Sequence, residues 1–192
     1  MSRLIVMPDG DPSVTLVDTD DFAAIAAGLA PIGVVFERWT ADRSLEVDAD
    51  QEAVLAAYAP SVDRIKAQGY GTVDVVRMAG DPDDEAFVAR ATEARGKFLA
   101  EHTHDDDEVR FFVEGSGAFY LRVAGKVHVV MCEAGDYIFV PKDTRHWFDM
   151  GTRPRFTAIR FFAVPEGWVG RFTGDGIASS FATYDDLVGA GR

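Results

Sequence analysis

The chain has 192 residues and a formal net charge of −13, because 32 acidic residues outnumber 19 basic ones. A field of that sign repels phosphates and anionic lipids, so we expect neither nucleic acid nor a membrane as a partner. Hydrophobic residues make up 47% of the chain, which suffices for a buried core, and the length favours a single domain. The single cysteine cannot form an internal disulfide and the first residues carry no export signal, so the expected location is the cytoplasm.

The first half of the chain predicts a mixture of short strands and helices. Runs rich in β-branched and aromatic residues predict strands, and runs bounded by Asp, Pro or Gly predict helices. Asp20 is the predicted N-cap of the first helix, and Gly96 is expected to end the last one. Pro60 is expected to interrupt the middle helical stretch, so that Ser61 caps a new helix. The predicted strands are 3–7, 15–17, 33–39 and 70–78, and the predicted helices are 21–29, 53–58, 61–66 and 84–95.

From Lys97 onward, short β-prone runs alternate with turns of Gly, Pro and Asp. Regular spacing of this kind is typical of an antiparallel sandwich or barrel. A weak helical signal follows at 184–188. The predicted strands in this half are 97–103, 108–113, 117–123, 127–132, 136–140, 145–149 and 155–164.

Three of the four histidines, with one carboxylate, form the most informative pattern in the sequence. Residues two apart in a strand face the same side, so His102 and His104 should project together. Glu108 follows an Asp-rich turn and can return on the next strand, and His146 follows a later turn. A His-x-His pair is a weak signal by itself, but the carboxylate at a usable distance favours a metal site. His128 has no carboxylate neighbour in sequence, and we expect it to be structural or on the surface.

Three imidazoles and a carboxylate, without a thiolate, suit iron, nickel, manganese or copper, and zinc is possible. A six-coordinate ion with four protein ligands keeps two positions open, which favours a substrate that chelates through two oxygens. Oxygen chemistry on such a substrate is therefore our hypothesis. Arg110 shares a strand face with Glu108 and is predicted to hold a substrate anion, although a surface ion pair is the simpler alternative. Phe148 shares a face with His146 in the same way, so it can wall an apolar pocket.

Two segments resemble the paired motifs of the cupin superfamily. Residues 96–108 (GKFLAEHTHDDDE), followed by Gly115, match the first motif at every spacing. Residues 135–141 (GDYIFVP), followed by His146, resemble the second motif. Two positions depart from the second motif without removing a ligand: Asp143 and Met150, where a glycine and an asparagine are usual.

The resemblance implies a mainly β fold, a cupin-type double-stranded β-helix (jelly-roll barrel) with a few peripheral α-helices in the N-terminal half. It further implies one cupin domain over residues 1–192. In that domain, residues 96–173 would form the metal-binding barrel core, and the strands and helices of residues 1–95 would pack on it.

Within the cupins, residues 98–104 (FLAEHTH) and 107–122 (DEVRFFVEGSGAFYLR) are similar to the acireductone dioxygenase family, as are Arg160 with two following phenylalanines and Gly167 with Trp168. The resemblance implies a cytoplasmic, monomeric enzyme of methionine salvage that acts on a small molecule and O2. Its substrate would be an acireductone, an enediol ketone with a methylthio tail. With iron the products would be a keto-acid and formate, and with nickel a shorter carboxylic acid, formate and carbon monoxide.

The resemblance also implies roles for single residues. Arg110 would orient the substrate anion and Arg160 would assist it, while Phe148 and Trp168 would flank the substrate. Glu101 is a weaker candidate for a base, because strand alternation turns it away from the ligand face. One Fe²⁺ or Ni²⁺ per chain would be held by His102, His104, Glu108 and His146.

Two other classes of protein share part of this pattern. Another metal-dependent cupin enzyme, a different dioxygenase or an isomerase, would keep the four ligands without a special need for Arg110 and Arg160. A non-enzymatic binding or sensor cupin would bind its ligand even after its metal is removed. The sequence shows no resemblance to an attached helix-turn-helix, which weakens the sensor alternative.

Overall fold

The computed structural model describes residues 1–164 and 169–189, and it folds mainly into antiparallel β-structure. The predicted mainly β class is therefore confirmed. The strands are β1 (Arg3–Pro8), β2 (Val17–Thr19), β3 (Val35–Arg38), β4 (Thr72–Met78), β5 (His102–Thr103), β6 (Glu108–Val123), β7 (Lys126–Glu133), β8 (Asp136–Val140), β9 (Arg145–Asp149), β10 (Phe156–Phe162) and β11 (Arg171–Phe172). The helices are α1 (Phe22–Leu29), α2 (Gln51–Ala57), α3 (Ala59–Lys66), α4 (Glu85–Phe98) and α5 (Tyr184–Gly189), with short 3-10 turns at Ala30–Ile32 and Ile177–Ser180.

Strand β6 is the central element, because it runs through two sheets. Its first half pairs with β8 and β10, and its second half pairs with β7 and β9. Gly115 lies between the halves with a φ of 65°, a conformation that favours glycine. The prediction of separate strands at 108–113 and 117–123 was wrong in this respect. The Gly-Ser-Gly sequence bends a continuous strand and does not end it.

The N-terminal strands belong to the two sheets. Strand β1 pairs with β7 and with the edge strand β2, β3 pairs with β8, and β4 pairs with β10. The sheets therefore run in the orders β11-β5-β9-β6-β7-β1-β2 and β3-β8-β6-β10-β4, with β6 in common. The edge strand β2 begins two residues later than predicted, at Val17.

Strand alternation in β6 separates a helix-covered face from an inner face. Val109 and Phe111 are buried under α2 and α3, where Val54 and Ile65 pack against them. Phe112 points the other way, into the apolar core between the sheets. Helices α2 and α3 thus lie on the outer face of this sheet, in the peripheral position predicted for helices of the N-terminal half. In the described part of the chain, no helix is long and apolar enough to cross a membrane.

Helix α4 continues past Gly96 to Phe98, so the predicted end at Arg95 and the predicted strand at 97–103 were wrong. A glycine inside a helix costs about 1 kcal/mol relative to alanine. Tertiary contacts offset that cost. Arg95 makes a bidentate ion pair with Asp149, at 2.7 and 3.0 Å, and Phe98 packs against the core between the sheets. Only His102 and Thr103 form the short strand β5 that follows.

Two helix starts also differ from the predictions. Asp21, and not Asp20, caps α1, since its carboxylate accepts a hydrogen bond from the Ala24 N–H at 2.8 Å. Helix α3 begins before Pro60, which occupies its first turn, so Ser61 lies inside the helix. Proline is well suited to that turn because its missing N–H would have no helical partner there.

Candidate metal centre

Three side chains from distant parts of the chain converge in the interior. One ligand atom each of His104, Glu108 and His146 lies within 4.8 Å of the other two, and all three residues are buried. Glu108 is the first residue of β6, His146 lies on β9, and His104 directly follows β5. Pairing of β5 with β9 and of β6 with β9 brings these positions together. This group indicates a metal-binding site.

Main-chain carbonyls fix which ring nitrogen of each histidine can bind a metal. Nδ1 lies 2.7 Å from the Ala100 carbonyl oxygen in His102, 2.5 Å from that of Asp106 in His104, and 2.8 Å from that of Thr144 in His146. A carbonyl oxygen can only accept, so Nδ1 must carry the proton and donate it. In the neutral ring, Nε2 then holds the lone pair that a metal needs.

The contact between His104 and Glu108 fits a bound cation. Nε2 of His104 lies 2.8 Å from Oε2 of Glu108. In the neutral imidazole and the ionised carboxylate both atoms are acceptors, so this approach requires either a proton or a metal cation between them. Two ligand atoms at about 2.1 Å from one ion, at a right angle, are roughly 3 Å apart. The nitrogen and oxygen donors suit a divalent first-row transition metal.

The structure places His102 beside this group, and its side chain is buried. It lies directly opposite His146 across the β5–β9 pair, with ring centroids 4.5 Å apart. Its centroid is 6.4 Å from that of His104. The three convergent donors found among the described residues do not include His102, so its role as a fourth ligand stays a prediction.

The charges at the centre follow from burial and from neighbouring groups. Burial alone would raise the pKa of Glu108, but the Arg110 guanidinium and the His104 ring lower it to about 2. Burial lowers the pKa of Arg110 to about 10, although Glu108 opposes that change. Burial also lowers the pKa of His146 to about 4. At neutral pH, Glu108 is therefore ionised, Arg110 is protonated and His146 is neutral, which is the state that a metal requires.

Acid should destabilise the metal-free protein through His146. Its pKa is about 4 in the folded state and about 6.5 in an unfolded chain. The unfolded chain binds the proton first, so the free energy of unfolding should fall as the pH drops from about 6.5 to 4, by about 3 kcal/mol in total. Urea denaturation of chelator-treated protein at several pH values measures this slope. The control, His146→Gln, should show a shallower slope, and equal slopes would contradict the assignment.

A cavity of about 420 Å³, its open mouth included, adjoins the centre. Glu108, Arg110 and Arg160 line its polar end. Strand alternation explains why Glu108 and Arg110 share this face of β6. Arg110 is 7% exposed and pairs with Glu108, so the ion pair is buried and does not lie on the surface. The remaining lining is apolar: Val76, Phe98, Phe112, Phe119, Phe148, Met150, Phe156 and Ala158.

The position of Phe148 at the cavity depends on Gly117. A Cβ at Gly117 would overlap the Phe148 ring, so only glycine lets the ring lie against β6. The ring packs on Phe119 at 4.8 Å and on Phe156 at 5.7 Å between centroids. Trp168, the other aromatic residue predicted to flank a substrate, lies outside the described residues.

Two acidic residues near the centre escaped the sequence analysis. Asp74, on β4, accepts hydrogen bonds from Nε and Nη2 of Arg160 at 2.6 and 2.5 Å. Asp106 is 6% exposed, and its carboxylate accepts from the N–H groups of Ala163 and Val164. Asp74 could have been found from the sequence, because it is a charged residue in the middle of the β-prone run TVDVVRM. Asp106 lies in an acidic run of the kind that a solvated turn also contains, so the sequence did not indicate that it is buried.

The other two polar candidates lie apart from the convergent donors. Glu101 directs its carboxylate to Thr173 and Arg122, at 2.8 and 3.3 Å, which agrees with its expected turn away from the ligand face. His128 is buried in β7, where burial lowers its pKa.

Comparison with known proteins places the chain in a family. The sequence profile of the ARD/ARD' family matches residues 4–170. The acireductone dioxygenase of Parvibaculum lavamentivorans is 58% identical over 186 residues, which cover 96% of this chain and 98% of the relative. Acireductone dioxygenase 1 of Nocardia farcinica is 50% identical, over 98% of this chain and all of the relative.

A solved structure supports the same conclusion. The acireductone dioxygenase from Bacillus anthracis, with a cadmium ion in its active centre, superposes with a TM-score of 0.73 at 27% identity. The match covers 90% of this chain and 98% of that one, which confirms the cupin-type fold. With a family profile over most of its length and relatives at half or more identity, the chain belongs to the acireductone dioxygenase (ARD/ARD') family.

Proposed function

We propose that this chain is a metal-dependent dioxygenase that cleaves an acireductone with O2 in methionine salvage. The substrate would be 1,2-dihydroxy-3-keto-5-methylthiopentene. With iron the products would be 4-methylthio-2-oxobutanoate and formate, and with nickel methylthiopropanoate, formate and carbon monoxide. The observation that carries the proposal, beside family membership, is the position of Glu108. One of its oxygens faces the histidines and the other faces Arg110, at the polar end of an otherwise apolar cavity.

We propose one Fe²⁺ or Ni²⁺ per chain, held by His104, Glu108 and His146 with His102 as the fourth ligand. Support for His102 comes from its place opposite His146 and from its Nδ1, which donates to Ala100 as the other rings donate to their carbonyls. When bound, the ion supplies Lewis acidity and a template on which an enediolate can chelate through two oxygens.

Arg110 and Arg160 would bind and orient the substrate anion. A guanidinium in a cavity of low polarity makes charge-assisted hydrogen bonds that favour the ionised form of an enediol. Arg110 keeps its charge at neutral pH because its pKa stays at about 10 despite burial. Arg160 lines the same polar end from the neighbouring strand.

The apolar end of the cavity would take the methylthio tail. Phe112, Phe148 and Met150 are among the side chains that line it, and the Met150 thioether is polarisable enough to pack against another sulfur. Filling this end would expel water from the neighbourhood of the reacting oxygens. Trp168 completes this proposal as a second aromatic beside the substrate.

Turnover with defined metals tests the proposed function. Metal-free protein is reloaded separately with ferrous iron and with nickel, supplied with an acireductone in air, and assayed for both the keto-acid and carbon monoxide. We expect turnover with both metals and different products from each. If folded, loaded protein turns over with neither metal, the substrate is a different chelating molecule and the chain is another kind of metal-dependent cupin enzyme.

Arg110→Ala should separate turnover from metal binding. The variant lacks a charge-assisted hydrogen bond to the substrate, so kcat/KM should fall by about 10- to 100-fold. Metal content should stay at one ion per chain, because the ligand atoms are unchanged. Arg3→Ala, which removes an exposed guanidinium paired with Asp18 at the sheet edge, is the control. Unchanged kcat/KM in Arg110→Ala would exclude the orienting role.

We further propose that the enzyme is a cytoplasmic monomer with one cupin domain over residues 1–192. The buried thiol of Cys132, whose pKa is raised by burial, supports a role as a packing residue and fits a reducing compartment. Continuity of the sheets supports the single domain, since β1, β3 and β4 each pair with a strand of the C-terminal half.

A further inference from the structure

Three charged residues lie side by side across neighbouring strands at the polar end of the cavity. Asp74 on β4 is directly opposite Arg160 on β10, and Arg160 is directly opposite Arg110 on β6. Residues in such cross-strand positions have neighbouring side chains. The row continues to Glu108, which pairs with Arg110. The row therefore has an anion at each end and two cations side by side in the middle.

The two guanidiniums occupy adjoining positions although they carry like charges. Both lie over the ring of Phe162, with Cζ 5.6 Å from the centroid in Arg110 and 5.4 Å in Arg160. Charges of the same sign this close repel each other in a site of low polarity. A long, flexible side chain such as Arg160 would move toward water unless another group held it.

Asp74 is the group that opposes this repulsion. Its two carboxylate oxygens accept from Nε and Nη2 of Arg160, at 2.6 and 2.5 Å. A bidentate pair fixes the plane of a guanidinium as well as its position. Asp74 accepts hydrogen bonds from Nε and Nη2 of Arg160. The Nη1 nitrogen is therefore left to donate to a ligand in the cavity that this side chain lines.

We propose that Asp74 is a positioning residue that holds Arg160 opposite Arg110, so that the two guanidiniums form a paired site for the anionic oxygens of the substrate. This inference rests on the proposed function, because it takes the substrate anion to be an enediolate. Asp74 itself touches Arg160 and acts through it. Loss of its carboxylate should therefore weaken substrate binding while the metal ligands stay in place.

Asp74→Asn tests the proposal, with Asp18→Asn as the matched control. Asp18 holds Nε and Nη2 of Arg3 in the same bidentate geometry, at 2.6 Å each, but at the edge formed by β1 and β2. On nickel-loaded protein we expect Asp74→Asn to raise KM for the acireductone about tenfold, with a smaller change in kcat and one metal ion retained. Asp18→Asn should leave both constants unchanged. Asp74→Ser is measured in parallel, with thermal unfolding of every variant.

A double-mutant cycle with Arg160→Ala shows whether Asp74 acts through Arg160. If it does, adding Asp74→Asn to Arg160→Ala should change KM by less than about twofold, because the guanidinium that Asp74 positions is already absent. If the two changes act independently, so that their fold-changes in KM multiply, the proposal is overturned. A wild-type KM in both Asp74 variants would overturn it as well.

A crystal structure of Asp74→Asn separates this inference from the proposed function. The Arg160 guanidinium should leave its position opposite Arg110, whichever substrate the enzyme uses. An unchanged guanidinium would refute the positioning role even if the enzyme turns over acireductone. A displaced guanidinium in a protein that does not turn over acireductone would sustain the positioning role and reject the proposed substrate.

Discussion

His104→Ala should lower the affinity for the metal by at least about 100-fold and abolish turnover. Changes to groups that only support a metal ligand already cost 10- to 100-fold, and this change removes a donor itself. It also leaves Glu108 without the Nε2 atom that lies 2.8 Å from its carboxylate. Metal content after dialysis and competition with a chelator measure the loss.

His128→Asn is the control for replacing a buried histidine. His128 lies on β7 and is buried like His104, but it is not among the convergent donors. Its variant should keep one metal ion per chain, whereas retention of full occupancy by His104→Ala would exclude the ligand role. The same assay on His102→Ala decides whether the fourth predicted ligand binds the ion.

Gly115→Ala should lower the free energy of unfolding by about 4 kcal/mol or more, which is a large part of the 5–15 kcal/mol typical of a domain. Two effects combine. The residue has a φ of 65°, which costs an alanine roughly 1–2 kcal/mol. In addition, its Cβ would overlap the Arg155 carbonyl, so the backbone of the β6–β10 pair would have to shift.

Gly125→Ala separates the two contributions. Gly125 has a similar φ of 72°, but a Cβ there would meet no atom within 4 Å. Its variant should lose only the roughly 1–2 kcal/mol of the backbone term. Urea denaturation midpoints measure both variants. Equal losses would mean that the close approach of Arg155 contributes nothing to the requirement for glycine.

Sequence patterns located the site well where the chemistry is local. Alternation in a strand predicted that Arg110 shares a face with Glu108, and both line the cavity. His-x-His spacing marked the region of the metal centre, but the approach of His146 depends on pairing between strands far apart in sequence. Residue type had grouped His146 with the other candidates, and the resemblance to the cupin motifs added the long-range relation.

The errors have a common physical cause, which is that tertiary contacts overrode local preferences. Gly96 did not end α4, because Arg95 and Phe98 anchor the last turn. Gly115 did not end β6, because both halves of that strand have paired neighbours. Asp74 became part of the site through its partner on β10, and no periodicity within β4 specifies that partner.

The orientation of the imidazoles has a consequence for how such enzymes diversify. Each ring is aligned by a main-chain carbonyl no more than two residues away. The main chain around the ligands thus orients the rings by itself, whatever side chains lie farther away. Cavity walls such as Phe148 and Met150 can be exchanged for residues of other sizes while the coordination geometry persists. A designer who transfers this centre to a different protein should therefore graft the loop backbones together with the ligand side chains.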